Sequence, residues 1–467
     1  MRAHEAGWAH AEGALKGPAW LREPTDVNAL DPILWSQTAH KVDGVLCVGG
    51  VLVDALIAEH GSPAYILDEA DFRARASAFK SAFAAYEVFY AGKAFLCTTV
   101  ARWVAQEGLS LDVCSAGELA VALRAGFDPA RIGYHGNNKS EAELRRAVDV
   151  GVGRIVVDSF HEIDRLAGIV QALEDAPTVK VMVRVTAGVE AHTHEYIATA
   201  HEDQKFGFSI TGGDAFEAVR RVLAAPGLEL LGLHSHIGSQ IFDSSGFEVA
   251  ARRVLALQAR ISEELGIALP EMDLGGGYGI AYTAADDPAD PFQLATEMTK
   301  IVEHECRALG IPEPALSIEP GRAIVGPAMC TVYEVGTVKE VQLDGGASRT
   351  YVSVDGGMSD NIRTALYDAA YSCTLASRPS SAAPVLARVV GKHCEAGDIV
   401  VKDEFLPADV TPGDLLAVPG TGAYCRSMAS NYNHALRPPV IAVRDGTARV
   451  ILRRETEADL LATDVDA

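Results

Sequence analysis

Leu228-Glu-Leu-Leu-Gly-Leu-His-Ser-His-Ile-Gly-Ser239 is a short apolar run that ends in a cluster of polar side chains. Its length suits a buried strand, and the segment beyond it, Phe247–Leu265, repeats apolar residues at helical spacing. The same unit recurs in both directions along the chain. Apolar runs at Val88–Tyr90, Leu111–Val113, Ile132–Tyr134, Ile155–Val157 and Val179–Val185 precede it, and Met272–Leu274 and Leu316–Ile318 follow it. Helical stretches such as Glu118–Ala125 and Glu141–Val148 lie between them. Eight strand–helix units over about 250 residues predict a (β/α)8 barrel, with an open doubly wound sheet as the competing arrangement of the same α/β pattern.

After Ala328 the pattern changes. Val332–Val338, Thr350–Val354, Val385–Val390, Asp398–Val401, Leu415–Val418 and Arg449–Leu452 read as short strands between turn signals, which predicts an all-β domain. Val45–Val53 also reads as β structure and is expected to join that domain. The expected division is residues 1–65 as an N-terminal segment lending strands to the β domain, 66–327 as the barrel, and 328–467 as a C-terminal β-sandwich or β-barrel. A chain of 467 residues is long for one hydrophobic core, so two domains are the natural reading.

Bulk properties narrow the partners. Forty basic against 63 acidic residues leave a net charge of −23, which argues against nucleic acid or an anionic membrane surface. No apolar run approaches the roughly 18 residues of a membrane span. The opening Met1–Leu15 carries His4, Glu5, His10 and Glu12 and lacks the basic-then-apolar order of a secretory signal. Cys47, Cys97, Cys114, Cys306, Cys330, Cys373, Cys394 and Cys425 form no CxxC pair and no zinc spacing. A cytoplasmic protein with reduced thiols is the expectation.

In a (β/α)8 barrel the chemistry sits at the C-terminal ends of the strands. Seven runs here carry polar or glycine-rich residues at that end: Tyr90-Ala-Gly-Lys93, His135-Gly-Asn-Asn138, Asp158, Arg184, His234 to Ser239, Gly275-Gly-Gly277 and Glu319-Pro-Gly-Arg322. Lys93, once partly desolvated, is an amine nucleophile suited to a Schiff base; the alternative is a snorkelling surface lysine. Gly275 to Gly277 let backbone N–H groups approach an anion, helped by a helix N-terminus just beyond, or else form a plain tight turn. Ser239 and Arg322 suit phosphate oxygens. His236 is placed to stack on an aromatic cofactor, or to be a satisfied interior histidine. Glu319 carries the most information. A carboxylate on a pyridine nitrogen keeps it protonated, as an electron sink such as pyridoxal 5'-phosphate requires, whereas the competing reading is a capping or salt-bridged glutamate.

These pieces fall into a larger set. Tyr90-Ala-Gly-Lys93, Asp112-Val-Cys-Ser-Ala-Gly-Glu118, His234-Ser-His-Ile-Gly-Ser-Gln240, Gly275-Gly-Gly-Tyr-Gly279 and Glu319-Pro-Gly-Arg322 are followed by Asp355-Gly-Gly-Met-Ser-Asp-Asn-Ile-Arg363 and Leu366-Tyr-Asp368. Cys394-Glu-Ala-Gly-Asp398, Gly422-Ala-Tyr424 and Met428-Ala-Ser-Asn-Tyr-Asn433 complete the series. In order and spacing the chain resembles the fold-type III pyridoxal-phosphate decarboxylases, the alanine-racemase-like barrel group. Within the group it looks most like members that act on meso-diaminopimelate. The resemblance implies that Lys93 carries pyridoxal 5'-phosphate, His236 stacks on its ring and Glu319 pairs with the ring nitrogen. It implies that Ser239, Gly277, Gly321, Arg322 and Tyr424 surround the phosphate. It places Arg322, Arg363, Tyr367, Glu395 and Tyr424 around the substrate. It further implies a homodimer in which Cys394 of the partner subunit donates a proton, so that the site is complete only between subunits.

The substrate follows from charge. Ornithine and arginine offer a distal cation, whereas meso-diaminopimelate offers a distal carboxylate and ammonium together. Arg363 suits the carboxylate, with Tyr367 one turn later if that stretch is helical, and Glu395 suits the ammonium. The competing use of Arg363 is a surface or interface ion pair. The expected reaction is therefore decarboxylation of meso-diaminopimelate to L-lysine, which the resemblance implies is the last step of lysine biosynthesis. The alternatives are a decarboxylase of ornithine or arginine, or a non-catalytic pyridoxal-phosphate-binding protein. The resemblance also extends to racemases, which place an arginine where Glu319 stands. Ala187-Gly188 replaces the Pro-Gly common among relatives, ahead of Val189 to Glu195. In that loop His192 and His194 have the spacing of a metal pair but no third ligand, so no metal is expected.

Overall fold

The computed structural model describes residues 17–174, 177–188, 205–342 and 348–465. The Met1–Leu15 opening, His192 and His194 lie outside the described residues. The chain divides into two compact units, one of Arg75–Gly279 with Pro288–Ala323, the other of Met1–Ala74, Ile280–Asp287 and Ile324–Ala467.

The first unit is a closed barrel of eight parallel strands: β1 (Glu87–Ala91), β2 (Ser110–Val113), β3 (Ile132–Tyr134), β4 (Arg154–Val157), β5 (Val179–Thr186), β6 (Leu228–His234), β7 (Glu271–Asp273) and β8 (Ala315–Ile318). Each expected run lies on one of them, with Leu274 one residue past the end of β7. Ser317 and Ile318 of β8 pair with Glu87 and Val88 of β1, and β4 pairs with β5, so the ring closes and the open-sheet alternative falls. The strands are buried on both faces, which is why they read as continuous apolar runs.

The helices that follow β2, β3 and β4 start by one local rule. Ser115, Ser140 and Ser159 each accept a hydrogen bond from the backbone N–H three residues on, at Glu118, Glu143 and Glu162. Ser140 and Glu143 close a reciprocal capping box. The helices run Ala116–Ala125, Glu141–Val150 and Phe160–Gln171.

The second unit is built on a sheet ordered Ile399–Pro407, Pro384–Val390, Ser348–Val354, Met329–Gln342, Ala64–Asp68, Val440–Arg444 and Thr447–Leu452. Ala64–Asp68 runs antiparallel to Met329–Gln342 and parallel to Val440–Arg444, and all five of its residues are buried. Val45–Val48 and Val51–Leu52 form a small sheet with His40–Val42, joined to the rest of the unit by the bridge Val45–Ser377 and by Leu46 N–H donating to Ala376 C=O at 2.9 Å. Val53 opens a helix, Val53–His60, so the expected run Val45–Val53 is two short strands and a helix start. Leu46, Leu56, Ile66, Val332, Leu415 and Ile441 share one apolar cluster.

Candidate active site

The C-terminal ends of the barrel strands surround a cavity of about 260 Å³. Lys93, Asp112, His135, Arg184, His236 and Glu319 are among its lining residues, delivered by the ends of β1, β2, β3, β5, β6 and β8. The backbones at the mouth lie close together. Ala91 N–H donates to Pro320 C=O at 3.2 Å, and a Cβ on Gly321 would come within 2.9 Å of Ala91. Lys93 stands two residues beyond the end of β1 and is exposed. The protein's own atoms therefore do not supply the desolvation expected of it.

Glu319 is buried, and its Oε1 lies 2.9 Å from Nε2 of His234 and 3.5 Å from Nε2 of His135. His135 Nε2 also sits 3.0 Å from Oδ1 of Asp112. Burial pushes the His135 imidazole down to about 4 and His234 well below its ordinary range, so both rings are neutral near pH 7. Burial, followed by Glu319 and Asp273, raises the Asp112 carboxyl well above the usual carboxylate range. His135, His234 and Glu319 bring their ligand atoms within 4.8 Å of one another, the composition of a metal triad. The same carboxylate is the one expected at a cofactor ring nitrogen, and the two uses exclude each other.

The glycine run does more than turn the chain. Gly275 and Gly277 have φ of +71° and +113°. A Cβ on Gly275, Gly276 or Gly277 would lie within 2.5 Å of the carbonyl oxygen of Ser235, Glu319 or Gly238 respectively. Only glycine lets the ends of β6, β7 and β8 converge in this way. Gly276 N–H donates to Nδ1 of His236 at 3.2 Å, which leaves the ring proton on Nε2. Burial, then Lys93 and Arg184, hold the His236 imidazole well below its ordinary range. Arg322 is buried and its Nη2 donates to Ser239 Oγ at 2.9 Å. No helix begins directly after the glycines, since the next starts at Pro291. The helix N-terminus expected there is absent.

Asp112, His135 and His234 were not assigned roles from sequence, although each ends a barrel strand or follows one. Arg184 and Asp158 meet at 3.8 Å, and Asp158 Oδ1 accepts from Gly207 N–H at 2.7 Å.

The remaining expected residues lie in the second unit. Arg363 opens the helix Arg363–Tyr367, so Tyr367 does stand one turn on. The Arg363 side chain is buried, not at the surface. Its Nη1 donates to Tyr371 Oη at 2.5 Å, and its guanidinium carbon lies 4.4 Å from the Tyr282 ring centre and 5.5 Å from that of Tyr371. The ionisable groups that act on it most strongly among the described residues are Tyr282, Tyr371 and Cys425. Cys394 and Glu395 are both exposed, in the turn closed by Asp398 N–H donating to Glu395 C=O at 3.0 Å. Asp398 steadies that turn by accepting from the N–H groups of Met358 and His393 at 2.6 and 2.7 Å. Tyr424 is half-buried with φ +62°.

Comparison with known proteins adds names to this geometry. Residues 69–326 match the family described as pyridoxal-dependent decarboxylase, pyridoxal binding domain. The chain is 54% identical to a diaminopimelate decarboxylase of Mycobacterium leprae, covering 100% of both chains. It is 49% identical to that of Corynebacterium efficiens, over 98% of this chain and 100% of the relative. Among solved structures, diaminopimelate decarboxylase from M. jannaschii in complex with L-lysine superposes with a TM-score of 0.85 at 29% identity, covering 92% of this chain and 98% of that one. Among the described residues, no helix is long and apolar enough to cross a membrane.

Proposed function

Because the chain belongs to the diaminopimelate decarboxylases, a branch of the pyridoxal-dependent decarboxylases, we propose that it converts meso-diaminopimelate to L-lysine and carbon dioxide, the closing step of lysine biosynthesis. The observation that carries the reading is the barrel cavity in which an amine, an imidazole and a buried carboxylate converge: Lys93, His236 and Glu319. These groups fit pyridoxal 5'-phosphate. Lys93 offers the amine for its aldehyde, His236 an aromatic face, and Glu319 an acceptor for a protonated ring nitrogen. Ser239, Gly277, Gly321 and Arg322 offer the donors and the close backbone a phosphate needs. When bound, the cofactor supplies the electron-withdrawing ring that takes up the electron pair released as carbon dioxide leaves.

The chain's own residues select and align the substrate. Arg363, a buried guanidinium with no carboxylate paired to it among the described residues, takes the distal carboxylate, and Tyr367, Tyr424 and Arg322 complete the grip. Glu395 takes the distal ammonium. Each charge-assisted hydrogen bond contributes about 1.5–3 kcal/mol, so two of them give at least roughly two orders of magnitude against a substrate lacking the distal group. Gripping the far end also sets which bond at Cα stands across the ring, a use of remote binding energy. We assign Cys394 of the partner subunit as the donor of the proton that replaces the lost carboxylate at Cα. Cys394 and Glu395 are exposed on a braced turn, as residues serving another subunit need to be, which supports a homodimer as the working form. The protein acts in the cytoplasm.

The test incubates purified protein and pyridoxal phosphate separately with meso-diaminopimelate, L,L-diaminopimelate, ornithine and arginine, measuring carbon dioxide and lysine. Release from meso-diaminopimelate alone is expected. Release only from ornithine or arginine would overturn the roles of Arg363 and Glu395, and no release from any would leave a cofactor-binding protein without this activity.

A further inference from the structure

His234 closes β6, and its side chain is 1% exposed. Its Nε2 faces Oε1 of Glu319 at 2.9 Å, close enough for a hydrogen bond but poorly aligned. Neither ring nitrogen has another hydrogen-bond partner among the described residues, and Oε1 is likewise buried. A buried N–H left unpaired costs about 1–3 kcal/mol, so the favoured tautomer carries its proton on Nε2, toward the carboxylate. His135 stands edge-on to His234 with ring centres 5.1 Å apart, but its Nε2 is nearer Asp112 than Glu319. The closest side-chain contact on Oε1 is therefore His234, and the other carboxylate oxygen is left for the cavity that Glu319 lines.

We propose that His234 is a positioning residue for Glu319: its Nε2–H holds Oε1, fixes the rotation of the carboxylate and presents the second oxygen to the cofactor's ring nitrogen. This rests on the reading that the barrel cavity holds pyridoxal phosphate. Outer groups of this kind orient a functional side chain without touching the reacting atoms, and their loss typically costs about 10- to 100-fold in related settings.

The experiment compares full-length wild type with His234→Ala, His234→Gln and Glu319→Gln. Four quantities are read: cofactor retention on dialysis, the pH dependence of the bound cofactor's visible absorbance, and kcat and KM for meso-diaminopimelate. His234→Ala should weaken retention, shift the absorbance profile in the direction Glu319→Gln shifts it, and lower kcat about 10-fold or more with KM within about twofold. His234→Gln, which keeps an N–H donor, should recover most of the loss. An unshifted absorbance profile with kcat within about twofold of wild type in His234→Ala would sink the proposal. So would a His234→Gln protein no better than the alanine variant while both melt earlier without cofactor, since that pattern marks packing alone. The absorbance readout needs no substrate, so it decides the role of His234 even if wild type fails on meso-diaminopimelate. A wild type that binds no cofactor removes both readings.

Discussion

Two buried ionisable side chains, one in each compact unit, are held in opposite ways. Glu319 in the barrel is surrounded by polar rings, with His234 and His135 at 2.9 and 3.5 Å. Arg363 in the second unit is flanked by aromatic rings, with Tyr282 and Tyr371 beside its guanidinium and one hydroxyl as acceptor. The first arrangement aims a carboxylate. The second holds a cation in a partly dry setting with donor capacity to spare, since a guanidinium has five N–H groups. A group that is aimed suits a fixed partner such as a cofactor ring. A group with unfilled donors suits a ligand that comes and goes.

On the function proposed above, catalysis belongs to the barrel and substrate choice to the second unit, and that division can be broken. The largest effect belongs to Lys93. Lys93→Ala should abolish turnover while leaving the melting temperature of the cofactor-free protein near wild type, because the side chain is exposed and packs little. Residual turnover in steady-state assays would show that the amine is not the attachment point. Next comes Arg363→Lys, which keeps the charge but loses the planar fork. It should reduce kcat/KM for meso-diaminopimelate by about 10- to 100-fold, chiefly through KM, and narrow the preference over ornithine. A loss confined to kcat would dissolve the division of labour.

The smallest effect is on stability. The His135 imidazole is pushed from 6.5 down to about 4 in the fold. The unfolded chain therefore takes up this proton first as the solution is acidified, and the folded state loses stability from about pH 6.5 downward, levelling near pH 4. His135→Asn should show a shallower fall of melting temperature across that window than wild type does. Equal slopes would mean that His135 is not held neutral.

The barrel was legible because its strands are buried on both faces and so read as unbroken apolar runs. Their polar endings at Lys93, His236 and Glu319 pointed to one cavity, and the structure brings these three around it. The contacts that hold Glu319 were not legible. Residues 135, 234 and 319 lie far apart in sequence, and only closure of the barrel makes them neighbours. The exposure of Lys93 was hidden for a related reason, since ending an apolar strand does not say how far past it a side chain stands. In the second unit Ala64–Asp68 escaped notice because it is short and is followed without a turn by the helix starting at Glu69. The burial of Arg363 depends on Tyr282, a residue from a distant segment that no local pattern ties to it.

The strand Ala64–Asp68 has one more consequence, which concerns time. Its sheet neighbours, Met329–Gln342 and Val440–Arg444, are encoded hundreds of residues later. At about 5–20 residues per second on the ribosome, this strand of five buried residues emerges on the order of tens of seconds before either neighbour has been made. The barrel sequence is synthesised in that interval, so the nascent chain carries an unmatched β-segment ahead of a nearly finished barrel. Such a segment is a natural client for chaperones and a hazard when many chains are made at once.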